Sequence, residues 1–206
     1  MKRMGLAVLF LSLVGALAVV PASADTTLYN NTGPTSNGGD TTYGAFTLDY
    51  GYVVTDSFTL SQSSTVTSAN FLIWVISGDT LSSVDWSIGT SAYGGTPATA
   101  TTLSLGQTNS GVYGRYNIFD ESISIPGLSL GAGTYWFTLQ NAVASNGDLA
   151  YWDISNGPSS AVHSTIGTVP SETFQILGPV PEPSSFLLLG SGLMGLAGMV
   201  RRKLKA

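Results

Sequence analysis

The sequence predicts an all-β fold, an antiparallel β-sandwich of jelly-roll type, carried between a signal peptide and a short membrane-spanning tail. Three observations lead there. Short segments rich in Val, Ile, Thr, Phe, Tyr and Trp recur through the middle of the 206-residue chain, several alternating apolar and polar side chains. Clusters of Gly, Pro, Asn and Ser separate them at short intervals. Nothing between the two ends carries apolar residues at the spacing of an amphipathic helix. Eight to ten short strands divided by tight turns are best accommodated by two packed antiparallel sheets.

At the start of the chain Lys2 and Arg3 precede an apolar run from Gly5 to Val20, and Ala22-Ser23-Ala24 places small side chains just before Asp25. Residues 1–24 therefore read as a Sec-type signal peptide cleaved beside Ala22 and Ala24. Pro21 argues against a permanent first transmembrane helix. The domain that follows, residues 25–178, is long enough to bury a core without a covalent staple. It has no choice, because the chain contains no cysteine. That absence excludes thiol catalysis, Cys-type zinc sites and thioether haem attachment. Six of the seven basic residues lie in the two ends, so this domain sets Arg115 alone against eleven acids, a formal charge of −10. Nucleic acid and anionic headgroups are excluded as partners, since phosphates need a basic surface to displace their counterions.

Within the domain, Thr26 to Gly44 is polar and turn-rich and is expected to form a surface lead-in or an irregular edge. Val53 to Leu60 is the first clear strand. In Thr65 to Ile76, Phe71, Ile73 and Val75 fall on one face while Leu72, Trp74 and Ile76 fall on the other, so this strand is expected to be buried on both sides. Ser77-Gly78-Asp79 turns the chain. Val84, Trp86 and Ile88 then alternate with Asp85 and Ser87, which predicts one wet face. After the loop Tyr93-Gly94-Gly95-Thr96-Pro97 come strands over Thr99 to Leu105 and Tyr113 to Ile125, the second interrupted near Asp120-Glu121. Gly131-Ala132-Gly133 punctuates before Thr134 to Gln140, and Ala150 to Ile154 and Glu172 to Leu177 complete the set.

Chemistry-bearing patterns are few. Gly127-Leu128-Ser129-Leu130-Gly131 matches G-x-S-x-G, and Asp148 or Asp153 and then His163 follow in hydrolase order. A nucleophile elbow needs a strand, a sharp turn at the serine and a helix behind it. Here Gly-Ala-Gly and a strand-like aromatic segment follow instead, so Ser129 reads as a turn residue and no catalytic residue is assigned. His163, the sole histidine, cannot build a multi-histidine metal site; its polar surroundings (SSAVHSTIG) predict exposure. Most acids sit beside Gly, Ser or Asn, where a carboxylate bonds the local backbone of a turn. No EF-hand loop is present. No cofactor is expected, apart from one structural calcium that carboxylates and carbonyls distant in sequence can gather, with no ligands to name. Four tryptophans and nine tyrosines raise the question of sugar stacking. Tyr93, Trp136 and Trp152 are the candidates for it, while Trp74 is expected in the core.

The tail, residues 179–206, decides where the domain goes. Pro181-Glu182-Pro183 is a stiff spacer that resists helix. Phe186 to Val200 is then an uncharged run of fifteen residues closed by Arg201, Arg202, Lys203 and Lys205, a stop-transfer pattern. Fifteen helical residues rise about 22 Å against a hydrocarbon core of about 30 Å, so the anchor is short. A Pro-Glu-Pro motif, a short Gly-rich apolar helix and a basic terminus in this order resemble the PEP-CTERM sorting signal of Gram-negative bacteria. What the resemblance implies is recognition of Pro181, Glu182 and Pro183 by an exosortase, a membrane-embedded cysteine protease or transpeptidase, and association with exopolysaccharide and the cell surface. The stretches DSFTL, VDWSIGTSAYGGT, LGAGTYWFTLQNA and YWDISNGPSS also resemble exported single-domain proteins that carry this tail. That resemblance implies a β-sandwich and brings no activity with it.

The expectation is therefore a non-enzymatic exported protein. Its partners would be the Sec machinery and an exosortase during export, and exopolysaccharide afterwards. It would be held in the inner membrane with a periplasmic domain before processing, then placed at the cell surface or outside. Its role would be structural or adhesive in the extracellular matrix or biofilm, with a carbohydrate-binding module as the alternative and a hydrolase third.

Overall fold

The structure, a computed structural model, describes residues 25–31 and 44–179, and of residues 106–113 the backbone alone. The expected signal peptide with Ala22 and Ala24, and the tail from residue 180 with its Pro-Glu-Pro motif and cations, lie outside the described residues. Asp25–Pro179 forms one compact unit.

Thirteen strands are described: β1 (Asp25–Asn30), β2 (Ala45–Thr47), β3 (Val53–Leu60), β4 (Ser64–Ile76), β5 (Leu81–Gly89), β6 (Ala98–Thr101), β7 (Leu103–Tyr113), β8 (Tyr116–Leu130), β9 (Gly133–Ala144), β10 (Tyr151–Asp153), β11 (Ala161–His163), β12 (Gly167–Val169) and β13 (Phe174–Pro179). No helix occurs among the described residues. One sheet runs β1-β13-β4-β10-β2, with β8 on the other edge of β4 and β7 beyond it; the second runs β12-β11-β3-β9-β5-β6. Every strand pairing is antiparallel.

Alternation explains how the sheets pack. Val54, Phe58 and Leu60 from β3, Phe137 and Leu139 from β9, and Val84 and Trp86 from β5 meet Phe71, Ile73, Val75, Trp152, Phe174 and Ile176 of the first sheet in a single apolar core. Phe137, Trp152 and Phe174 form its centre, with ring centroids 5.6–5.9 Å apart. As expected, β4 is buried on both faces. Its second row, Leu72 and Trp74, packs with Ile118, Ala45, Tyr116 and Tyr151 on the outer side of the same sheet.

In the polar lead-in β1 forms the irregular edge that the composition suggests, an edge strand whose register shifts between Thr27 and Tyr29. The structure departs from the sequence expectation elsewhere. Strand Thr99 to Leu105 is two strands, because Thr102 anchors the crossing between sheets through its N–H to Ser82 and its hydroxyl to the Leu81 carbonyl. The expected break at Asp120-Glu121 is absent; β8 runs through it, opposite Leu72 and Phe71. Its irregularity falls instead over Ile125, Pro126 and Gly127, opposite Thr67. Proline offers no ladder N–H and Gly127 takes φ 47°, so this is where a bulge forms most easily.

Candidate functional site

The hydrolase pattern does not assemble. Ser129 lies within strand β8, paired with Thr65, and is not the turn residue that its Gly-rich setting suggests. His163 lies on β11 in the other sheet and is 3 % exposed, which corrects the expectation of a solvent-facing loop histidine. Its Nδ1 accepts from the Thr165 backbone N–H at 3.2 Å, and its ring packs against Phe46 and Tyr52. Burial lowers its pKa and favours the neutral ring.

The acids divide into two kinds. Asp79, in the Ser77-Gly78-Asp79 turn, behaves as a turn residue, accepting from the backbone N–H groups of Thr80 and Asn146. Asp49 likewise accepts from Ala150 N–H. Asp56, Glu121 and Glu172 are buried as Asp79 is, but lie outside turns, on β3, on β8 and in the approach to β13. Asp56 occupies an inward position of β3 between Val54 and Phe58, where alternation calls for an apolar side chain. Its Oδ2 accepts from Asn31 Nδ2 (3.0 Å), Ser159 Oγ (2.9 Å), Ser171 Oγ (3.2 Å) and Glu172 N–H (2.7 Å), and its Oδ1 from Ser57 N–H. Desolvation raises its pKa and these donors oppose the rise. The group ties the end of β1 to β3, to the segment after β10 and to the approach to β13.

Glu172 lies in that approach, 0 % exposed, and neither carboxylate oxygen has a hydrogen-bond partner. Burial first, and then the charges of Asp56 and Asp153, drive its pKa well above the usual carboxylate range. Glu121 faces inward on β8 opposite Phe71. Its pKa is pushed up to about 7, chiefly by burial, while the hydroxyls of Ser104 and Thr102 hold it down in part. Sequence position gave no sign of either acid's burial.

A third group sits on the outer face of the first sheet. Cross-strand pairing sets Trp74 beside Ile118 and Tyr151. The Trp74 indole N–H donates to Asp153 Oδ1, the Tyr116 and Tyr151 rings meet edge to face at 5.6 Å, and the Arg115 guanidinium lies 5.4 Å from the Tyr116 ring centroid. Arg115, by its hydrogen bond, lowers the Tyr116 pKa; burial pushes that of Tyr151 up to about 12. Nearby, Asp49-Tyr50-Gly51-Tyr52 forms a tight turn closed by Tyr52 N–H to Asp49 O at 3.0 Å. Tyr50 adopts φ 55°, a costly geometry for a bulky side chain, and is 84 % exposed.

The three aromatic residues singled out from the sequence are not brought together. Tyr93 is 42 % exposed at φ 59° in its glycine-rich loop, and Trp136 is half-buried on β9. Trp152 is fully buried, its indole N–H bonded to the Thr173 carbonyl at 2.9 Å, so it has no face to offer a sugar. The aromatic group that is assembled, Tyr116 and Tyr151 with Arg115, was missed. A basic residue alone in an acidic domain, next to a tyrosine, was the available signal.

A family model described as the PEP-CTERM protein-sorting motif matches residues 179–203. No curated protein matches the chain significantly. The matched stretch takes in Pro181, Glu182 and Pro183 and the cations Arg201, Arg202 and Lys203, and it begins on Pro179, the last residue of β13. The chain thus carries a PEP-CTERM sorting signal, which implies an exported protein with a membrane-anchored signal read by an exosortase.

Proposed function

We propose that this protein is a non-enzymatic component of the cell surface or extracellular matrix. It is exported by Sec, sorted through Pro181-Glu182-Pro183 by an exosortase, and released from the inner membrane to serve as a structural or adhesive unit in exopolysaccharide or biofilm. The chain's repeated crossing between the two sheets is in keeping with a sandwich of jelly-roll type.

The observation that carries this reading is where the sorting signal meets the fold. It starts on the final residue of β13, a strand paired on both sides, by β1 and by β4. Phe174 and Ile176 of the same strand are fully buried. A tether at this end therefore loads a strand held by two hydrogen-bonded ladders and two core side chains, as a load-bearing attachment requires. The test is to replace Pro181, Glu182 and Pro183 with alanines. Export is expected to continue while the protein accumulates in the inner membrane; equal release of variant and wild type to the surface fraction would refute the reading.

The outer-face group of Arg115, Tyr116 and Tyr151 favours carbohydrate binding as a second reading. Aromatic rings beside one cation, with the exposed carboxylate of Asp148 close by, offer stacking surface together with hydroxyl-binding groups. Binding of the domain to extracted exopolysaccharide, lost in Tyr151→Ala and kept in Tyr93→Ala, is the expected result. The opposite pattern would place any sugar contact elsewhere.

A further inference from the structure

We propose that the first residues of β1 clamp the sorting signal, so that removal of the tail waits on local opening of the β1–β13 end of the sheet. The inference rests on the exosortase processing proposed above.

The first observation is that fold and signal share a residue. The matched sorting motif begins at Pro179, and Pro179 is paired with Asp25 in the folded domain. Behind it, Gly178 is paired with Thr26, and Leu177 with Thr27 on one side and Ser68 on the other. Gly178 is also closed in from β4, since an added Cβ would lie 2.1 Å from the Thr65 carbonyl oxygen. One residue, Val180, separates this ladder from Pro181. From Pro179 to Pro181 the chain reaches at most about 7 Å. An enzyme that takes up a peptide in extended form pairs with its backbone along one flank. Upstream of Val180 both flanks are occupied, so one neighbour has to leave. Strand β1 is the edge strand and β4 the buried central one, which makes β1 the strand that yields.

The second observation is how β1 is fastened. The Asp25 carboxylate Oδ2 accepts from the Thr67 hydroxyl at 2.9 Å and from the Ser68 hydroxyl at 3.0 Å. Both donors belong to β4, on the far side of β13, so the Asp25 side chain bridges over the strand that carries the signal. These bonds are charge-assisted but exposed, which gives a latch of modest strength. The register shift between Thr27 and Tyr29 separates this latch from Leu28 and Tyr29, which pack against the core. Asp25 to Thr27 can therefore open as a local unit while the rest of β1 stays in place.

The test is the rate at which the full-length protein loses its tail, followed by pulse–chase in cells that carry an exosortase. Thr67→Val with Ser68→Ala removes both donors to Asp25 and alters neither the expected leader cleavage site nor the sorting signal. Cleavage that follows local opening tracks the open population, so tail removal is expected to be about 2- to 5-fold faster. Thr27→Cys with Leu177→Cys locks the same end. Directly opposed residues of an antiparallel pair stand about 4.5–5.5 Å apart between Cα atoms, within disulfide range, and the chain has no other cysteine to compete. The oxidised form is expected to lose its tail about 10-fold more slowly than Thr27→Ser with Leu177→Ser. A Gly-Ser-Gly-Ser spacer inserted between Pro179 and Val180 supplies unpaired chain to the enzyme, and loosened, locked and wild-type proteins are then expected to agree within about twofold. A merely structural effect of the substitutions would not be cancelled by the spacer. Equal rates in all three proteins without the spacer would overturn the clamp, as would a lock whose effect survives it. A wild type that keeps its tail would refute the exosortase processing itself, and the clamp with it.

Discussion

Glu121 makes the stability of this domain depend on pH in an unusual direction. Its carboxyl titrates at about 7 in the folded chain, against an ordinary value of 4.5, because it is buried opposite Phe71. The folded state therefore holds a proton that the unfolded state has released, and stability falls as pH rises from 4.5 toward 7. Linkage over pH 5 to 8 gives about 2.5 kcal/mol for these two values. Screening by solvent near the sheet edge reduces that to about 1–2 kcal/mol. Asp56 and Glu172 are also raised, so they contribute with the same sign, while His163, lowered by burial, contributes with the opposite sign and is common to wild type and variant. The assay is urea unfolding of wild type and Glu121→Gln, in chelator, at half-unit steps across that range. Wild type is expected to be most stable at the acid end. The variant, which cannot ionise at this position, is expected to show a slope shallower by about 1–2 kcal/mol over the range. A wild type more stable at pH 8 than at pH 5, or a variant with an unchanged slope, would refute the argument.

Two further substitutions probe the core and the last strand. Trp152→Ala removes a fully buried indole from between Phe137 and Phe174 and leaves the Thr173 carbonyl without its donor; a loss of about 3–5 kcal/mol by denaturant unfolding is expected. Gly178→Ala would place a Cβ 2.1 Å from the Thr65 carbonyl, a backbone atom that yields only if β13 shifts against β4, and a loss of about 1–3 kcal/mol is expected from the same measurement.

Much of the fold was legible because its long strands carry their own signal. Val53–Leu60 matches its expected bounds, and the two apolar rows of Phe71 to Ile76 face two separate clusters as alternation requires. Strands β11 and β12 carry no such signal. Three residues each, Ala161–His163 and Gly167–Val169, are too short for a period to register, and β11 exists because β3 lies alongside it, more than one hundred residues earlier in the chain. The burial of His163 follows from that pairing, so its polar sequence neighbours misled. Trp152 was ambiguous for a related reason: in a strand of three residues, Tyr151 and Asp153 give no indication of which side holds the core.

The buried acids were illegible because their neighbours come from the whole length of the chain. Asp56 accepts from Glu172 N–H across 116 positions, and Asn31 reaches the Glu172 carbonyl across 141. This connection occupies the place that a disulfide takes in many exported domains, and the difference in physics matters. A disulfide acts largely by restricting the unfolded chain, whatever its native surroundings. A buried carboxylate acts in the folded state, where any register other than the native one leaves it desolvated and short of donors at a cost of about 1–3 kcal/mol or more. Asp56 thus selects one alignment of β1, β3 and the approach to β13 over its neighbours by penalising the alternatives. The strand so aligned is the one from which the sorting signal leaves the fold. A domain released with β13 out of register would present that signal on a strand that had lost its pairing to β4, so the cross-sheet tie and the attachment to the tail meet at the same end of the sequence.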